Sequence, residues 1–252
     1  MTKRWLPILT VILFFIGTPL AVTAQANIPS INLSVDTATS PQQLSSTIQI
    51  VILITILSLA PSILIMATSF TRIVVIFHFL RQAMGTQNTP SNQILISLAL
   101  FLTFFVMSPV LREVNTNALQ PYLNDEIEQQ EAIALASAPL KQFMIAHTRD
   151  KDLQLFASYF PGEKAESAQE LSLMIVVPAF MINELRIAFQ IGFMLYLPML
   201  LIDMVVSAVL MSMGMMMLPP VMISMPFKIL LFVLVDGWYL VVESIINGLY
   251  LA

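Results

Sequence analysis

Four stretches of the chain carry apolar residues with scarcely a polar interruption: Ile48–Ala67, Ile94–Leu111, Ile187–Met211 and Pro226–Leu251. Each is close to the roughly 20 residues that a helix needs to cross a bilayer. No charged residue lies between Asp36 and Arg72, between Arg81 and Arg112, or from Ile187 to Ile202. The pattern predicts two apolar helical hairpins, over residues 48–111 and 187–252. Between them, residues 112–186 hold six basic and eleven acidic residues and read as a small helical insert. Pro139 suits a first helical turn, after which Leu140, Phe143, Met144 and His147 share one face. Leu153, Phe156 and Phe160 repeat that spacing before Pro161-Gly162 breaks it. Ser167-Ala-Gln-Glu170 has the form of a capping box ahead of Leu171–Val177, and Pro178 is placed to open a new long helix.

The start of the chain has a different character. Lys3 and Arg4 precede a short apolar core, Ile8–Ile16, and small residues around Ala24 and Ala26 offer a cleavage site, so residues 1–26 read as a secretory signal peptide. Residues 27–47, rich in Ser, Thr, Gln and Pro, are expected to be a loose polar segment. Composition agrees with a membrane chain. Hydrophobic residues make up 58% and charged residues only 10%, against about 25% charged in ordinary soluble domains. The net charge of −4 argues against nucleic acid as a partner. A cleaved leader leaves the mature N-terminus outside, so the first span runs inward. The segment Thr68–Gln93, with Arg72 and Arg81 and no acid, then falls on the cytoplasmic side. Residues 112–186 fall outside, in agreement with the preference of basic residues for the inner face.

Within this frame, four kinds of position call for chemistry. Seven of the 17 methionines lie between Met211 and Met225, with Met215, Met216 and Met217 consecutive between Gly214 and the pair Pro219-Pro220. Methionine is unbranched and soft, and Pro-Pro cannot continue a helix. The cluster therefore marks a helix break; it is either a hairpin turn packed in a helical core or a deformable apolar seal across a pore. Pro61, Pro109 and Pro198 each remove a backbone hydrogen bond inside an apolar run. Asp203, Asp236 and Glu243 place carboxylates within the third and fourth runs, where each would cost roughly 2.5–3.5 kcal/mol at a helix centre if left without a partner. They are read as structural pairs or as proton relays. Glu184 and Arg186, two residues apart, point to different sides of a helix and seek different neighbours. Enzyme chemistry finds little support. Asp236 lies in Val-Leu-Val-Asp-Gly-Trp, outside a Gly-x-Gly-Asp setting, no His-Glu-x-x-His occurs, and there is no cysteine to hold a metal. His78 and His147 are expected far apart. No metal or cofactor is expected.

Several motifs together resemble one family. They are Ser58-Leu-Ala-Pro-Ser-Ile-Leu64, Ser69-Phe-Thr-Arg72, Leu80-Arg-Gln-Ala-Met-Gly-Thr-Gln87 and the run Leu98–Pro109. Further on come Pro178-Ala-Phe180, Glu184-Leu-Arg186, Phe189-Gln-Ile-Gly192-Phe193, Pro198–Asp203, Met213–Pro220 and Pro226–Trp238. The chain resembles the FliP family of flagellar type III export-gate proteins from about Leu57 to Trp238. The resemblance implies an all-α integral membrane protein of apolar helical hairpins with a small α-helical periplasmic insert. Several copies would assemble into a helical ring with FliQ and FliR, beside FlhB and FlhA, in contact with lipid in the bacterial inner membrane at the flagellar basal body. It implies a pore that passes unfolded flagellar subunits, with Met215–Met217 as its gasket and Met211, Met213, Gly214, Pro219 and Pro220 flanking it. Glu184, Arg186, Phe180 and Phe189 become candidate contacts between sister copies. A proton-coupled transporter using Asp203 and Asp236, or a membrane scaffold subunit, is the alternative.

Overall fold

The computed structural model describes residues 41–86, 88–160, 167–215 and 219–250, and all regular structure among them is helical. The leader over residues 1–26, and the polar segment as far as residue 40, lie outside the described residues. The chain divides into two units between Val51 and Ile52. Of the first unit the described part is the beginning of helix α1, Pro41–Met66. Pro41, the first residue of that helix, needs no partner for its nitrogen, and so the helix starts inside the segment expected to be loose. In the second unit α1 continues with Ile52, Leu53, Leu57 and Ile63 all exposed. An apolar surface on every side of a helix needs lipid or another chain against it.

The remaining helices are α2 (Phe70–Ala83), α3 (Asn92–Val114, prolonged through a wide turn at Asn115–Leu119 to Leu123), α4 (Gln129–Ala146) and α5 (Asp150–Tyr159). After these come α6 (Leu173–Ser212), α7 (Pro220–Leu234) and α8 (Gly237–Tyr250). Two of these, the α3 run and α6, are long and apolar enough to cross a membrane, and α7 with α8 would make a third if counted as one span bent by 64°. Among the described residues, two of the four apolar runs expected to span thus meet that length as single helices, or three with the bent pair. At 40 residues α6 is about 60 Å long, twice the roughly 30 Å hydrocarbon thickness, so much of it must extend beyond a bilayer.

Segment Thr68–Gln93 departs most from expectation. Rather than a cytoplasmic connection, it contains α2, which lies parallel to α6 along its length. Arg72 meets Glu184, the Phe79 ring meets Phe189 at 5.3 Å, and the carbonyl of Ala83 is joined through Lys228 to Asp203. No bilayer can therefore separate Arg72 from Glu184, and residues 48–111 hold three helices instead of one hairpin. The reason is visible in the residues. Ile73, Ile76, Phe77 and Leu80 form one buried stripe at helical spacing. They pack with Ala99, Leu102 and Val106 of α3, Ala188 and Met199 of α6, and Val241 and Ile245 of α8. A 14-residue amphipathic helix is too short and too mixed to register as a span. Close approach of α2 to α6 depends on Gly192, where a Cβ would come within 2.6 Å of the Phe79 ring.

Prolines and caps shift several boundaries. Pro139 lies deep inside α4, because the alanine-rich stretch before it propagates the helix through the missing amide. Pro178 likewise falls within α6, which begins at Leu173. The cap of α6 is Ser172, whose hydroxyl accepts from the Met174 amide; Ser167 instead precedes a short 3₁₀ turn, Ala168–Glu170. Phe160 leaves α5 in an extended conformation, as a residue before proline is pressed to do. The insert packs on the start of α6 through Met144, Leu153, Leu171, Ile175, Val176 and Phe180.

Candidate functional site

Helix α6 ends in a fully formed Schellman turn. The Gly214 amide donates to the Met211 carbonyl at 3.1 Å and the Met215 amide to the Leu210 carbonyl at 3.0 Å. Gly214 takes φ +74° with nothing within 4 Å of a would-be Cβ, so glycine serves the backbone here and not packing. On the far side Pro220 occupies the first position of α7, and the Met222 amide reaches the Pro219 carbonyl. Met216 and Met217 lie outside the described residues. Of the others, Met211 and Met213 are exposed, as are Met215 at 40% and Met222 at 65%. Met225, beside Gly85, is partly buried, so the described methionines of the cluster lie mostly, but not all, outside this chain's own core.

A buried ionic brace holds the hairpin that carries this turn. Lys228 of α7, 2% exposed, donates to Asp203 of α6 at 2.6 Å and to the Ala83 carbonyl at the end of α2 at 3.1 Å. Buried Ser224 donates to the other oxygen of Asp203. Three helices are thereby tied one turn or two from the methionines. Gly85, at the α2–α3 turn, lies beside Val221 and Met225, so both helical turns occupy the same end. Asp236 and Glu243 behave differently. Asp236, at φ +51°, forms the corner between α7 and α8 and is exposed. Gly237 next to it lies so close under Phe232 that a Cβ would be 2.2 Å from the ring. Glu243 is also exposed and accepts from the Tyr239 hydroxyl at 3.4 Å. Of the three acids, Asp203 alone among the described residues is ion-paired.

A second polar knot lies at the opposite end. Arg72 grips Glu184 with both arms of its guanidinium, Nε donating to Oε2 at 2.8 Å and Nη2 to Oε1, with the two side chains 2% and 0% exposed. Arg72 also donates through Nη1 to the Gly248 carbonyl at 3.1 Å. Asn183 donates to the His147 carbonyl and accepts from Arg186 at 2.8 Å, and Arg186 also reaches Gln190 at 3.1 Å. Glu184 and Arg186 do take different neighbours. Glu184, however, is wholly enclosed in its own chain, and so is Phe180, whose ring meets Phe143 at 6.0 Å. Neither is open to a sister copy in this arrangement, whereas Phe189 is more than half exposed. Burial followed from pairing with Arg72, which the assumed topology had placed on the other side of the membrane. Sequence reasoning also missed Ser224, Asn183 and His147; only the small or polar character of these residues within apolar surroundings marked them. Among the described residues no three of His, Asp and Glu gather as metal ligands would.

Comparison with known proteins places the chain. The profile described as the FliP family matches residues 53–245. The chain is 55% identical over 216 residues to the flagellar biosynthetic protein FliP of Bacillus subtilis, covering 86% of this chain and 98% of that one. It is 48% identical over 225 residues to FliP of Aquifex aeolicus, covering 88% and 92%, and 49% identical over 230 residues to FliP of Caulobacter vibrioides, covering 91% and 85%. A match this long takes in α2, α6, both ionic braces and the methionine turn, and the chain belongs to the FliP family.

Proposed function

We propose that the chain is a pore-lining subunit of the flagellar protein export gate in the bacterial inner membrane, and that its methionine turn closes the resting pore. One observation carries this reading: a braced helical hairpin ends in a glycine turn with Met211, Met213, Met215 and Met222 exposed on either side of it. Exposed thioethers on a rigid support suit an opening shared by several copies. A ring of them excludes water and ions when closed, and yields around unfolded chains of varied shape because no rotamer is strongly preferred. Outward apolar side chains on α3, α6 and α7, among them Phe101, Phe193, Met204 and Val233, suit sister copies, the partners FliQ and FliR, and lipid. A proton-relay carrier is less well supported, since Asp203 is committed to Lys228 and Ser224.

The test is ion and small-solute leakage from cells or vesicles carrying the assembled complex. Replacing Met215, Met216 and Met217 together by Ala is expected to leave complex recovery unchanged and to raise resting leakage. Unchanged leakage with intact assembly would refute the seal.

A further inference from the structure

Arg81, near the end of α2, is a cation that meets no acid of its own chain among the described residues. Its Nη1 donates to the Asn92 side-chain carbonyl at 2.5 Å and to the Pro90 main-chain carbonyl at 3.4 Å. Its Nη2 donates to Nδ1 of His78 at 3.3 Å. A guanidinium only donates, so Nδ1 of His78 accepts and the ring carries its N–H on Nε2. The segment Thr68–Gln93 contains no Asp or Glu. Arg81, His78 and the side-chain amides of Gln82 and Asn92 thus form a rim rich in donors and empty of negative charge.

That rim lies at one end of an open-sided cleft of about 540 Å³ between α2 and α3. The volume falls in the roughly 300–1,000 Å³ range of sites for small ligands. His78, Gln82 and Asn92 line the polar end, and the other walls are apolar: Val75 and Phe79 of α2, Leu95 and Ile96 of α3, and Phe189 of α6. The apolar lining continues onto the outer face of α3, where Leu100, Phe101 and Phe104 are exposed on a helix long enough to cross a membrane. Asn92 is the first residue of that helix, so Arg81 stands where its apolar surface begins. A basic side chain at that boundary belongs at headgroup level.

A sister copy at the same height in the ring proposed above has no free carboxylate to offer this rim among the described residues. Arg81 is on the side of Gly85 and Val221, near the methionine turn. Exposed Asp236 lies at the far end of α7, Glu243 lies beyond it on α8, and Asp203 is committed to Lys228. We propose that the cleft binds one anionic phospholipid, with its phosphate on the Arg81 guanidinium and an acyl chain along Val75, Phe79, Leu95 and Phe189. Charge selects the headgroup: phosphate accepts charge-assisted hydrogen bonds from a guanidinium, whereas a zwitterionic headgroup brings a cation that finds no acid here. The apolar walls require that the phosphate arrive with a chain attached.

Native mass spectrometry of the full-length protein, purified with its complex in mild detergent, tests this. The complex is titrated with phosphatidylglycerol and with phosphatidylcholine of the same acyl chains. Phosphatidylglycerol is expected to bind about ten-fold more tightly, the worth of a hydrogen bond to a charged group. Arg81→Gln is expected to abolish the preference. Ile96→Trp, which fills the cleft from an exposed position and leaves Arg81 in place, is expected to abolish retention of phosphatidylglycerol. Arg112→Gln, which removes an exposed cation outside the cleft, is expected to change neither. Equal retention of the two lipids by the wild-type complex would overturn the proposal, as would an Arg81→Gln complex that keeps the preference. Displacement of the lipid by inorganic phosphate would reduce the cleft to a bare anion site and overturn it too. A complex that retains no lipid, while Ile96→Cys crosslinks to a neighbouring chain, would assign the cleft to protein instead.

Discussion

Replacing Arg72 with Met leaves Glu184 sealed in the protein without a cation. Both side chains of the pair are buried almost completely, and Arg72 makes two bonds to the carboxylate and a third to Gly248. Solvent cannot screen the loss, so the cost belongs at the full value for breaking a buried pair, about 3–5 kcal/mol. For a chain of this size that corresponds to a fall of roughly 10 °C in unfolding temperature. Removing Glu184 alone, as Glu184→Met, is expected to cost a similar amount. The double variant, with both partners made apolar, is expected to recover more than half of the loss, because two well-packed apolar side chains are about as stable as a buried ion pair. Arg72→Lys keeps the charge but not the two-armed geometry, and falls between wild type and Met. The assay is thermal unfolding of the purified full-length protein in mild detergent, followed by intrinsic fluorescence. Single variants as stable as the wild type would refute the reasoning. A double variant as unstable as the sum of the singles would also do so, since it would show that the two residues act independently.

Three other outcomes are expected. Lys228→Met strips the cation from Asp203 and a donor from Ala83; since Asp203 is 22% exposed, the loss is nearer about 2–3 kcal/mol in the same assay, and Asp203→Asn combined with it restores part. Gly192→Ala forces a Cβ into the Phe79 ring and is expected to destabilise by about 1–3 kcal/mol, with Phe79→Leu relieving the clash. Gly214→Ala has room for the methyl but not the right backbone, so it costs about 1 kcal/mol, frays the end of α6 as seen by amide exchange, and raises resting leakage.

Much of this architecture was legible because apolar runs and glycine–proline punctuation act locally. The start of α3 near Ile94 and the break after Ser212 fall where the apolar run, Gly214 and Pro219-Pro220 put them, whereas α3 runs on past Arg112 to Leu123. The methionine cluster was visible for the same reason, although the exposure of Met211, Met213, Met215 and Met222 was not. What stayed hidden depended on contacts between distant residues. Nothing local to Arg72 shows that Glu184, 112 positions away, will meet it. Counting charges placed Arg72 in a connecting segment, whereas the stripe Ile73, Ile76, Phe77 and Leu80 builds a core helix there. Pro139 and Pro178 misled because a proline is tolerated in a helix whose flanking turns are strong.

The central claim is that the methionine turn faces an opening shared by sister copies. The natural chain has no cysteine, so a single Met215→Cys substitution reports on that turn alone. Mild oxidation of membranes containing the assembled complex is expected to join neighbouring copies into disulfide-linked dimers through this position. A chain that stays monomeric under oxidation, while the same cysteine reacts readily with a lipid-soluble maleimide, would place the turn against lipid and contradict the account.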